Sequence, residues 1–170
     1  RVVLDEGPSG PLAELRTGSD PWHSTIHDGL RLALVPEAES FCDATPNSTG
    51  RPALMGFDGS TSLTADDLVL RVVGAPVGQF GMFVQGNLPT QVPVGNGFLC
   101  LSGVQRLLPA GQTSALGQAA RALDYSAPPA ASHTILPGST WFFSYWYRDP
   151  SGPGGAGFNF ADGLALTFGL

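Results

Sequence analysis

Lysine is absent from this 170-residue sequence. All 8 basic residues are arginines (Arg1, Arg16, Arg31, Arg51, Arg71, Arg106, Arg121 and Arg148), set against 14 acidic residues for a formal charge of −6. Without lysine there is no Schiff-base chemistry, no phosphate-loop lysine and no lysine cross-link between copies, so any assembly is noncovalent or uses other groups. The arginines are scattered and form no basic stripe, which argues against nucleic acid and against docking on an anionic membrane. Long apolar runs are missing too. The longest, "LRLALV", is strand-sized where a spanning helix needs roughly 20 residues, so no membrane insertion is expected. The start at Arg1 shows no charged and apolar leader pattern, which reads as a soluble mature form with any export signal already removed.

What is abundant points to β structure. Hydrophobic residues make up 42% and charged residues only 13%, with 23 Gly and 15 Pro. Such a chain is too apolar to be disordered and too rich in helix breakers to form a bundle. The length suits one domain with a short appended segment. Residues 1–40 hold only two strand-sized pieces, "RVVL" and "LRLALV", separated by loop-like sequence, and read as an N-terminal extension. From residue 41 to 170, closely spaced strand candidates alternate with Gly, Pro, Asn and Asp, which predicts an all-β antiparallel sandwich, jelly-roll or immunoglobulin-like. "DLVLRVVG" sets Leu68, Leu70 and Val72 on one face, and "GLALTFG" aligns Leu164, Leu166 and Phe168. The one helix-permissive stretch, "SALGQAARAL", is long enough for a turn or two.

The aromatic run "WFFSYWYRDPSGPGGAGFNFADG" poses the functional question. Alternation sends Trp141, Phe143, Tyr145 and Tyr147 to one side and Phe142, Ser144 and Trp146 to the other, as in a central strand covered on both faces. Arg148-Asp149-Pro150 then reads as a strand exit, and the following glycines let the chain reverse, with Phe158 and Phe160 pinning the loop back. The sharper alternative makes Trp146, Tyr147, Asp149 and Asn159 a sugar-binding shelf, because aromatic faces stack on pyranose rings while amides and carboxylates hold hydroxyls. Large apolar side chains in such a strand are more often buried.

Catalytic sets are sparse. No G-x-S-x-G elbow occurs, since "GPSGP" around Ser9 fails at its last glycine, and there are 3 histidines, His23, His27 and His133. His23 and His27 have i, i+4 spacing, but Pro21 and Gly29 leave room only for a short turn and no H-E-x-x-H glutamate is present, so surface histidines are expected rather than a metal site. Asp58, Asp66, Asp67, Asp149 and Asp162 match no calcium loop, and beside Gly or Pro such residues read as turn formers. Asn47-Ser48-Thr49 satisfies the N-glycosylation pattern, with turn chemistry the commoner explanation. Neither catalytic residues nor a cofactor are expected. Cys42 and Cys100, 58 positions apart, read either as two buried thiols or as a disulfide, which the other signs of export favour.

The order "FCDATPNSTG", "GNGFLCLSG", "WFFSYWYRDP" and "GFNFADGLALTF" resembles a poorly characterised domain found toward the C-termini of large secreted proteins of planctomycetes and related bacteria. The resemblance covers about residues 41 to 170 and implies export, a β-sandwich and pairing of Cys42 with Cys100. The chain departs from that pattern at Ser144, near which a glutamine is expected, and at Ala161, where a serine is usual. The resulting expectation is a non-enzymatic extracellular structural module, a self-assembling subunit of a surface fibre or layer whose partners are copies of itself or other surface proteins. In that reading "RVVL", with Val2, Val3 and Leu4, adds as a strand to a neighbour's sheet. Pairing within the same subunit is the alternative for those residues. The rival function is a carbohydrate-binding module of a secreted hydrolase, with a polysaccharide as partner.

Overall fold

The computed structural model describes residues 2–5, 31–34 and 38–170, and the chain divides into two compact units, Arg1–Pro36 and Glu37–Leu170. In the first, β1 (Val2–Asp5) pairs antiparallel with β2 (Arg31–Leu34), Val2 opposite Leu34 and Asp5 opposite Arg31. The second unit is an antiparallel β-sandwich. Its strands are β3 (Ala38–Phe41), β4 (Leu54–Asp58), β5 (Val69–Val73), β6 (Phe80–Gly86), β7 (Leu88–Val94), β8 (Gly97–Ser102), β9 (Gln105–Gln112), β10 (Ala119–Ala122), β11 (Thr140–Asp149), β12 (Gly157–Phe160) and β13 (Gly163–Thr167). The sandwich starts slightly before the boundary read from composition at residue 40, because β3 is an edge strand on β13, with Phe41 opposite Gly163.

The larger sheet has the order β3-β13-β11-β6-β9, and the smaller is β10-β5-β4. β11 is long enough to serve two partners along one edge: Thr140–Phe143 pair with β13 and Trp146–Asp149 with β12. Its other edge pairs with β6. The sheets bury a shared core in which Leu68, Leu70 and Val72 meet Phe83, Phe143, Tyr145, Tyr147, Leu166 and Phe168. The period-2 alternation therefore places the same faces inward that the sequence pattern sorts together.

The second face of β11 is covered as well. The β7–β8 hairpin lies over it, and Leu101 packs where Gly86 of β6 has no side chain, so that a Cβ there would meet Leu101 Cβ at 2.9 Å. Phe142 meets Phe41 edge-on at 5.3 Å, and Trp146 lies 6.1 Å from Phe158. This double cover explains why both faces of the strand are aromatic.

One segment departs from its local preference. Instead of a helical turn, the Ser114 hydroxyl accepts from the amides of Leu116 and Gln118 in a tight turn, and Ala119–Ala122 continue as β10. Pairing with β5, Ala119 to Val72 and Ala122 to Val69, outweighs the helix propensity of alanine because it completes the smaller sheet.

Candidate functional site

Three of the four residues singled out for recognition, Tyr147, Asp149 and Asn159, converge at one end of β11, while Trp146 lies on its opposite face. Tyr147 is fully buried and stacks on Tyr145 with ring centroids 6.1 Å apart. Burial pushes both phenols up to about 12, so each is a neutral hydrogen-bonding group across the physiological range. The Tyr147 hydroxyl accepts from Asn47 Nδ2 at 3.3 Å. That amide also donates to the Gly74 carbonyl at 2.8 Å, while Asn47 Oδ1 accepts from the Thr49 amide and hydroxyl.

Asp149 and Asn159 complete a polar knot. Asp149 is wholly buried; one carboxylate oxygen accepts from the Ser48 amide at 3.1 Å, and its backbone carbonyl accepts from Gly152. Asn159 donates to the Thr45 and Pro46 carbonyls, and its Oδ1 accepts from Thr45 Oγ1 at 3.2 Å. Asn96, in the β7–β8 turn, enters the glycine loop, where its Oδ1 accepts from the Ala156 amide at 3.0 Å. Asn96 Nδ2 and Asp149 Oδ1 are both buried without a partner, and a Cβ at Gly152 would collide with Asn96 and Asp149 together. Only glycine fits there, so the "GPGG" loop is shaped by close approach as well as by turning.

This geometry corrects two sequence readings. Tyr147, Asp149 and Asn159 are buried and committed to Asn47, Ser48, Thr45 and Pro46, and only Trp146, half-buried under Phe158, retains any exposure, so the four do not form an open stacking shelf. Asn47 is 2% exposed with its amide nitrogen engaged, so the folded domain offers no side-chain amide for glycosylation; its role is to tie the 45–50 loop to β11. Cys42 and Cys100 are disulfide-bonded, which ties the end of β3 to the covering hairpin.

The other acids and histidines fall as follows. Asp58 pairs with Arg71 at the surface, Asp67 accepts from the Ser60 amide in a turn, and Asp66 occupies the left-handed region. His133 is buried, with Nε2 bonded to the Gly103 carbonyl at 2.6 Å. His23 and His27 lie outside the described residues. Among the described residues no cluster of His, Cys, Asp or Glu has the arrangement of a metal site.

Asp162 carries a role that its turn-forming sequence context conceals. It is 7% exposed and accepts from the Met55 amide at 2.6 Å, fastening β4 of the smaller sheet to the β12–β13 corner of the larger. Burial is the largest influence on its carboxyl and raises the pKa, outweighing the hydrogen bonds from the Met55 and Asp162 amides and from Ser40. A raised folded-state value means that the neutral acid is favoured by folding, so this contribution is complete below the ordinary carboxylate pKa and is lost as pH rises through the folded value. Asp162→Asn is therefore expected to flatten that part of the stability–pH curve. Asp162→Ala strands the Met55 amide and should cost about 1–3 kcal/mol. Urea unfolding of both variants between pH 3 and 8 checks this; equal losses for Asn and Ala would refute the bond's role.

The sequence reading missed Arg121 as a cavity residue. The signal was strand alternation, which places Arg121 on the same face as Ala119; "RALDYS" reads as a strand candidate starting at Arg121, while the overlapping "SALGQAARAL" is helix-permissive. No protein-family model, curated protein or solved structure matches the chain.

Proposed function

We propose that this chain is a non-enzymatic extracellular structural module that associates with copies of itself, or with another surface protein, by β-strand addition. The observation that carries the proposal is the β1–β2 ribbon: two strands of four residues, with no further strand paired to either outer edge among the described residues. A ribbon of two strands is marginal in water and gains stability when a third strand or an apolar face completes it. Val2, Val3 and Leu4 pair here with Leu34, Ala33 and Leu32 of the same chain, so the unit that would be added is the ribbon rather than a lone strand. The disulfide supports the extracellular part of the reading, because such bonds persist in oxidising compartments. The burial of Tyr147, Asp149 and Asn159 favours the structural reading over the polysaccharide-binding one.

Deleting residues 1–6 tests the assignment. The truncated chain is expected to stay monomeric in light scattering and to form no particles under the electron microscope at concentrations where the full chain assembles. Unchanged assembly would overturn strand addition.

A further inference from the structure

A second polar site lies within the sandwich, where β6 and β9 of the larger sheet meet β10 of the smaller. Arg121 sits opposite Leu70 in register and shares the inward face of β10 with Ala119, while Ala120 and Ala122 face solvent. Its guanidinium Nε is buried and has no hydrogen-bond partner. The hydroxyl of Tyr125, in the loop after β10, is likewise buried and unpartnered, its ring held edge-on to Phe168 at 5.9 Å. Both residues line one cavity of about 30 Å³, walled by Leu107, Leu123 and Ile135.

Among the other polar groups of the cavity, Asp124 turns Oδ1 to the Ser126 amide and hydroxyl and the Ala127 amide. Gln85 donates its amide to the His133 carbonyl at 3.2 Å, and His133 uses Nε2 on Gly103 and Nδ1 on the Ser132 hydroxyl. An inward-pointing charge on an edge strand blunts unwanted pairing. That role alone would leave the whole guanidinium in water, whereas here an N–H donor is buried at the same cavity as a second unused donor and no ion pair to Arg121 forms among the described residues. Two buried donors at one cavity of mixed polar and apolar lining suit an acceptor carrying negative charge.

We propose that Arg121 and Tyr125 form a binding site for a carboxylate group, presented either by a small organic acid or by an Asp or Glu side chain of a bound peptide segment. The volume matches roughly two water molecules, enough for two carboxylate oxygens and too little for a sugar ring or a phosphate ester. Asp124 at the same cavity, and Asp66 and Asp67, whose charges act on Tyr125, select for a singly charged group over a dianion. The site is independent of strand addition, since it uses only residues of the sandwich.

The test follows the Arg121 Nε–H resonance of the full chain by NMR at pH 7 during titration with sodium acetate, against sodium chloride at matched ionic strength. Acetate is expected to shift the resonance saturably and chloride to leave it in place. Tyr125→Phe should weaken the acetate response roughly five- to tenfold, as befits one hydrogen bond, without unfolding the protein. Arg121→Gln should abolish any acetate-specific rise in thermal stability. A glutamate tripeptide with blocked ends, run in parallel, separates the sources: binding at least tenfold tighter than acetate assigns the site to a peptide side chain, and equal or weaker binding assigns it to a free acid. Matching responses to chloride and acetate, or a Tyr125→Phe protein that titrates like the parent, would overturn the proposal.

Discussion

Replacing both Cys42 and Cys100 by alanine is expected to lower the stability of the sandwich by about 4 kcal/mol, the loop-closure cost of a cross-link 58 residues long. For a unit of this size that corresponds to a fall in melting temperature of about 10–20 °C. The bond joins the chain just after β3, at the edge of the larger sheet, to β8 of the covering hairpin, with Cα atoms 5.9 Å apart. Two elements that share no strand pairing are thus held together covalently, and much of the hairpin's hold on that side is lost with the bond. Calorimetry of the double variant, beside the parent with and without reductant, measures the effect. A drop of less than about 1 kcal/mol would mean that hairpin docking is carried by Leu101, the aromatic layer and the hydrogen bonds of Asn96.

The second large effect separates a structural from a recognition role for the aromatic strand. Phe143 is completely buried at the centre of the shared core, so Phe143→Ala is expected to cost about 3–5 kcal/mol through lost burial and the cavity left behind. Trp146, on the opposite face and half-buried against Phe158, should cost only about 1–2 kcal/mol when cut to alanine. Urea unfolding reads both. A Phe143→Ala protein as stable as the parent would remove the core assignment. A Trp146→Ala protein of unchanged stability that no longer adhered to a polysaccharide retaining the parent would restore the recognition role.

Much of the fold was legible because a half-buried strand writes its orientation into alternate residues. Leu68, Leu70 and Val72, Leu164, Leu166 and Phe168, and Trp141, Phe143, Tyr145 and Tyr147 all face the core as their spacing predicts. The polar knot was only half legible. Asp149 and Asn159 stood out by composition, but their partners, Ser48 and Thr45, lie 101 and 114 residues away, and nothing local distinguishes a buried asparagine from one on a binding surface. Arg121 was hidden for a related reason: "RALDYS" reads as a strand, but burial of its Nε at a cavity shared with Tyr125 depends on the pairing with β5 and on the facing sheet.

The amino-acid sequence by itself determined the class of architecture, the inward faces of the strands and the chemistry unavailable to a chain without lysine, because these depend on residue type and near-neighbour periodicity. Only the tertiary structure decided that Tyr147, Asp149 and Asn159 face the 45–48 loop instead of solvent, that Asp162 bridges two sheets, and that Arg121 and Tyr125 share a cavity. Burial and hydrogen-bond partnership are properties of segments brought together across the chain, and long-range strand pairing specifies them.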